Sequence, residues 1–264
     1  MYKLMEFKTL QSTSFRTLIE ALKEILTETN IEFTPSGIRI VAIDNTHSVM
    51  VHLKLEAKSF EQYFCESKIV VGVSILNLFK IMKTMTGNDT LCWYIEVASP
   101  NEVPNFLNIR IENSEKKVIN NYQFALMDLD QIQNTIPSST FDSVIYLSSS
   151  YFQKICKDML NLGDTVEIQC IGNVLKFICK GDFCNQELTL GESNGTMSFS
   201  QSNKCDAPIV GEYDLKNLVM FTKCTNLHPN LHIYIKNDYP LIIQYQVADL
   251  GTIKLCLAPK IREI

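Results

Sequence analysis

The chain has 264 residues, room for two domains of ordinary size, and at 46% hydrophobic it is globular rather than disordered. Its 24 Lys+Arg against 29 Asp+Glu give a net charge of −5, which disfavours indiscriminate coating of DNA yet allows a basic stripe on one face. Nine cysteines without a Cys-x-x-Cys pair, several of them in apolar patterns (Cys156, Cys170, Cys256), argue against a zinc knuckle and for a reducing compartment.

Taken in chain order, Phe15, Leu18, Ile19, Leu22, Ile25 and Leu26 form a helical stripe, with Ser12 or Thr13 placed to cap it. Pro35-Ser36-Gly37 turns between strands around Ile31–Phe33 and Ile38–Ile40. Val49, Val51, Leu53 and Leu55 alternate with polar residues as a half-buried strand, and 61–73 and 91–97 are strand-like. Between those lies a helix over about 74–85, stopped by Thr86-Gly87-Asn88-Asp89. In the second half a helix over about 149–161 stops at Gly163, strands follow around Val166–Cys170 and Leu175–Phe177, and a second helix covers about 213–225. Strands at 231–236, 241–248 and 252–257 complete it. The expected fold class is α+β, with two similar domains of two helices each on antiparallel sheets.

The halves repeat. Ser14-Phe15-Arg16-Thr17-Leu18-Ile19-Glu20-Ala21-Leu22-Lys23 matches Tyr151-Phe152-Gln153-Lys154-Ile155-Cys156-Lys157-Asp158-Met159-Leu160, and the helix of Asn77–Lys83 matches that of Asn217–Lys223. Arg16 and Lys23, like Lys216 and Lys223, stand about two turns apart; Lys80/Lys83 and Lys154/Lys157 are one turn apart. Each pair thus shares a face opposite the apolar stripe. On any single helix this is an ordinary solvated face; on four helices at repeat-related places it suggests a surface for a polyanion, and Glu20 weakens the pattern on the first. Lys and Arg contact phosphate without reading bases, and few aromatic or Asn/Gln partners accompany them, so sequence-independent, salt-sensitive binding to duplex DNA is expected. Duplication with such a surface points to a ring around nucleic acid rather than to an enzyme.

Four further segments carry a resemblance across essentially the whole chain: Leu18–Lys23, Asp44-Asn45-Thr46-His47-Ser48-Val49, Leu126-Met127-Asp128-Leu129-Asp130, and Ala248-Asp249-Leu250-Gly251 leading to Leu257-Ala258-Pro259-Lys260-Ile261. In this order they resemble the proliferating cell nuclear antigen family of DNA sliding clamps, homotrimeric processivity factors of replication and repair. The resemblance implies an N-terminal clamp domain over 1–125, an extended connector over 126–140 and a C-terminal clamp domain over 141–264, three chains closing head to tail. It implies a partner-peptide pocket at Ile43, His47, Ser48, Met50, Ile132, Ile136, Pro137, Pro240, Ala258 and Pro259. Two departures bear on that pocket: Asn134 stands where the family places a connector Leu, and Cys256 where it places an aromatic. Gly172 stands where many members carry a ubiquitinated lysine. The subunit interface would pair one edge, with Lys117, Tyr122 and Phe124, against another with Gly181, Phe183 and Leu188. The implied partners are double-stranded DNA, the chain itself, DNA polymerase and other peptide-bearing proteins, and a clamp loader. The implied location is the nucleus, or the cytoplasmic replication site of a large DNA virus.

No nucleotide-binding glycine loop is present, and no cofactor is expected. His228 and His232 are separated by Pro229, and Asp128 and Asp130 lie on the connector without a third ligand, so neither pair reads as a metal site. No apolar run reaches the ~20 residues of a membrane span, and no signal segment opens the chain, so no membrane partner is expected. A heterotrimeric clamp subunit, a monomeric processivity factor and, remotely, a nuclease remain as competing readings.

Overall fold

Amphipathic helices laid on strands of period two build this chain. The computed structural model describes residues 1–44, 46–99, 102–130, 140–193, 196–201 and 208–260. In the first half the order is β1 (Tyr2–Thr9), α1 (Ser12–Ile25), β2 (Glu28–Thr34), β3 (Gly37–Ile43), β4 (Val49–Glu56), β5 (Gln62–Cys65), β6 (Ile69–Ser74), α2 (Ile75–Met82), β7 (Thr90–Val97), β8 (Phe106–Asn113) and β9 (Val118–Ala125). In the second half it is β10 (Ser143–Ser148), α3 (Ser149–Leu160), β11 (Thr165–Ile171), β12 (Val174–Lys180), β13 (Asn185–Gly191), β14 (Met197–Gln201), β15 (Ile209–Asp214), α4 (Leu215–Phe221), β16 (Asn230–Ile235), β17 (Leu241–Val247) and β18 (Gly251–Leu257).

Strand for strand the halves are one topology. The first runs β5-β1-β7-β8-β9 and β4-β3-β2-β6; the second runs β14-β10-β16-β17-β18 and β13-β12-β11-β15. The central pairings correspond: β1 takes β5 and β7 antiparallel, and β10 takes β14 and β16. Two compact units result, Met1–Ala42 with His52–Thr135 and Gln246–Ile253, and Ile43–Val51 with Ile136–Tyr245 and Lys254–Ile264.

Each helix buries its stripe. Phe15, Leu18, Ile19 and Leu22 of α1 are at most 2% exposed, and Phe15 sits edge-on to Trp93 with centroids 5.1 Å apart. The matching face of α3 buries Phe152, Ile155, Cys156 and Met159. The strands explain the pattern: β7 and β8 alternate half-buried with buried along their length, so one face of each meets the helices.

Local chemistry differs from the sequence expectation in four places. Gln11, not Ser12 or Thr13, occupies the α1 cap position; Ser12 is inside the helix and donates to the Thr86 carbonyl, 3.2 Å away. The strand expected over 61–73 is two, β5 and β6, which pair with different partners. The helix expected over 213–225 is α4, capped by Asp214, which accepts from Lys216 and Asn217; from Thr222 to Leu227 the chain tightens to 3-10 geometry. Strands β1, β8, β10, β14 and β15 carry no sequence reading of their own.

Among the described residues the sheets end in six edge strands. An open edge invites pairing with another chain. Two edges are met by other segments: Met127 N donates to Gly72 O of β6 at 2.9 Å, and Lys260 N to Glu212 O of β15 at 2.8 Å. Gly72 is required for this approach, because a Cβ there would stand 2.4 Å from the Met127 carbonyl. β5 and β14 are short. That leaves β9, of 8 residues, and β13, of 7, as the long edges whose outer side meets no hydrogen-bonded segment among the described residues.

Candidate functional site

The eight basic positions fall into two groups. On α1, Arg16 donates to the Met85 carbonyl at 2.8 Å, and Lys23 pairs with Glu24 at 2.5 Å while its ammonium lies 4.6 Å from the Phe79 ring centre. Both are half-buried and engaged with α2 and the turn after it. Lys80 is exposed and donates to Asn77 at 2.9 Å. Lys83, at the α2 C-cap, and Lys154 and Lys157 on α3 are exposed, with no ion pair among the described residues. Lys216 reaches Asp164 at 3.5 Å, but both side chains are more than 70% exposed, so water screens that pair to little net worth. Lys223 is exposed as well, yet it stands in the 3-10 turn, so the two-turn α-helical face expected for Lys216 and Lys223 does not exist.

A hollow of about 150 Å³ gathers Ile43, His47, Ser48, Met50, Pro240 and Ala258. Val49, Tyr239, Ile242 and Cys256 line it too; Val49 and Cys256 are singled out in the sequence, Tyr239 and Ile242 are not. Pro259 is outside the lining, and Ile132, Ile136 and Pro137 lie outside the described residues. The walls are mostly apolar, so the hollow suits an apolar side chain with few directional bonds.

One carboxylate shapes the loop that forms its rim. Asp44 accepts from Ser48 N at 3.0 Å and Val49 N at 2.8 Å, and from the Thr46 hydroxyl. Burial works to raise its pKa; the hydrogen bonds from Thr46, Val49 and Ser48 outweigh that and hold the carboxyl below its ordinary range. His47 takes a positive φ of 57°, steadied by its N–H on the Asp44 carbonyl at 3.0 Å. Cys256 is 6% exposed, and burial, partly opposed by Lys254, pushes its thiol up to about 11. At neutral pH it is a small uncharged wall.

The remaining expected residues lie on the two long edges. Lys117 precedes β9 with φ 54°, and Tyr122 and Phe124 are within it. Val118 and Ile119 leave 45% and 49% of their surface exposed. Gly181 and Phe183 lie in the β12–β13 turn and Leu188 in β13; Phe183 is 79% exposed, high for an aromatic ring.

Among the described residues no group of three His, Cys, Asp or Glu side chains could hold a metal ion. His228 is engaged with the Asn230 backbone at 2.9 Å, and His232 packs edge-on against Tyr146. The eight described cysteines are free, and no described helix is long and apolar enough to cross a membrane.

Two copies of one helix-on-sheet domain, with basic helices and unlike open edges, define a clamp-type protein. Comparison agrees over the whole length: residues 4–135 match the model of the proliferating cell nuclear antigen N-terminal domain, and 135–260 that of its C-terminal domain. A protein of Paramecium bursaria Chlorella virus 1 named "Probable DNA polymerase sliding clamp 1" is 33% identical over 262 residues, covering 97% of each chain. The proliferating cell nuclear antigen of Chaetomium thermophilum is 29% identical over 260 residues, covering 98% of each. The chain belongs to the proliferating cell nuclear antigen family and is a DNA sliding clamp.

Proposed function

We propose that three copies of this chain close head to tail, β9 of one against β13 of the next, into a homotrimeric ring around duplex DNA. The observation that carries this is the pair of long, unlike, open edges with Val118, Ile119 and Phe183 exposed beside them. Unlike surfaces that pair generate a ring when the rotation closes, and closure removes every such edge. In this reading the chain divides into clamp domains over 1–125 and 141–264 with a connector at 126–140. Lys83, Lys154, Lys157, Lys216 and Lys223, with Lys80 and in part Arg16 and Lys23, face phosphate without regard to sequence.

The hollow at Met50, Ile242 and Cys256 takes apolar residues of a peptide borne by DNA polymerase or another replication or repair protein. The ring performs no chemistry; it raises the local concentration of its partners on the template. A loader opens it, in the nucleus or at a viral replication site. Static light scattering behind a sizing column tests the assembly. A mass near three times 30.1 kDa, constant on dilution, is expected; a persistent monomer would overturn the ring.

A further inference from the structure

We propose that a second, acidic hollow beside the apolar one receives a basic side chain, arginine above all, from the flank of the docked peptide. The proposal rests on the peptide-docking reading above. β10 and β16 turn Ile145, Leu147, Leu231 and Ile233 into the core, so Tyr146, His232 and Tyr234 lie on the opposite face, half-buried. That face of a one-sided sheet is ordinarily polar. Here it carries a file of rings. Tyr239, which lines the apolar hollow, meets Phe141 at 5.5 Å; Phe141 meets Tyr234 at 5.3 Å; Tyr234 and His232 are 6.2 Å apart; His232 sits edge-on to Tyr146 at 4.6 Å.

The file ends at the acidic hollow, of about 650 Å³, lined by Tyr146, Glu192, Thr196, Ser198 and neighbouring polar groups. Glu192 is its one charged lining residue among those described. The Phe199 N–H at 2.9 Å and the Asn173 amide at 3.2 Å fix its two oxygens, and each keeps a lone pair for another donor. A carboxylate beside a tyrosine ring suits a guanidinium, which pairs with the first and stacks on the second. His232 does not oppose it: burial, and then His228, hold its imidazole below the ordinary value, so it is uncharged at neutral pH. Single-stranded nucleic acid, the other ligand that stacks on rings, needs a positive groove; the Lys254 ammonium lies 5.8 Å from the Tyr234 ring centre in the middle of the file, but the hollow at its end is lined by Glu192 and by no cation among the described residues. Two to three strand spacings of about 4.8 Å and two residues along the strand separate the hollows, roughly 15 Å or about five residues of extended peptide.

The test uses the intact protein and synthetic peptides with Leu and Phe anchors, a Gly/Ser spacer on either flank, and a terminal Arg or its uncharged isostere citrulline. Fluorescence anisotropy should show Arg tighter than citrulline by about three- to tenfold on one flank, with a maximum near a five-residue spacer. Glu192→Gln should remove that difference and leave the citrulline peptide unchanged; Tyr146→Leu should reduce it. Equal binding of both peptides on both flanks, with Met50→Asp still abolishing binding, would overturn the acidic hollow and leave the docking reading intact. Indifference to Met50→Asp would overturn both. Displacement of the Arg peptide by oligothymidylate in wild type but not in the Tyr146→Leu variant would assign the face to nucleic acid and overturn it too.

Discussion

The two halves of this clamp share every strand pairing and both helix positions, yet they use their charges differently. α1 and α3 are the same element of the repeat. On α1, Arg16 is tied to the Met85 carbonyl and Lys23 lies over Phe79, so the cations help fasten one helix to its neighbour. On α3, Lys154 and Lys157 reach solvent without an ion pair among the described residues. The repeat thus shares one scaffold, while the polar faces divide: α1 commits part of its basic charge to packing, and α3 leaves its lysines exposed to solvent. The edges divided in the same way. β9 closes a five-stranded run in the first half and β13 a four-stranded sheet in the second, and only unlike edges pair head to tail.

The largest effect should come from removing that complementarity. Ile119→Asp combined with Phe183→Asp places charge on both edges, and the mass in solution should fall from three chains to one while circular dichroism stays native. A trimer surviving both changes would move the interface off β9 and β13. Next in size, Met50→Asp should weaken a Leu/Phe-anchored peptide by about thirtyfold or more, as for removal of a central apolar anchor site; titration calorimetry measures it, and unchanged affinity would relocate the docking site.

The contrast between α1 and α3 makes a finer test. Lys154→Ala with Lys157→Ala and Lys223→Ala should flatten the dependence of log K on log salt by about 0.9 for each phosphate no longer neutralised. Arg16→Ala with Lys23→Ala should flatten it less. The latter variant should instead melt a few degrees lower, because a hydrogen bond worth about 1 kcal/mol to the Met85 carbonyl is gone. Equal slopes and equal melting temperatures would erase the distinction between the halves.

The smallest effect is one of pH. The Asp44 carboxyl is depressed in the folded loop, so its contribution is complete above the unfolded value of about 3.9 and is lost as pH falls through the lower folded value. Peptide affinity should be flat from neutral pH to about 5 and fall in stronger acid, and Asp44→Asn should remove that fall. A titration that descends near neutrality would implicate a different group.

Helix positions are legible because a 3.6-residue apolar stripe is a strong local signal, and the repeat is legible because both halves carry it. What the chain does not display locally is tertiary engagement. Nothing near Arg16 announces Met85, and the change to 3-10 geometry at Thr222 follows an unbroken helical pattern. Strands such as β14, of five residues and weak alternation, fall below what period-two reasoning detects. The hollow is legible through His47, Ser48 and Ala258, which belong to segments that carry the resemblance; Tyr239 and Ile242 join it only through the approach of β17.

Topology is the direct test of the clamp. With no loader present, the protein should bind a linear duplex with free ends, over which a closed ring can thread, and should fail to bind a covalently closed circle or the same linear duplex with both ends blocked by bulky groups. Equal affinity for free-ended, blocked and circular DNA at the same salt would contradict encirclement and leave an ordinary surface-binding protein.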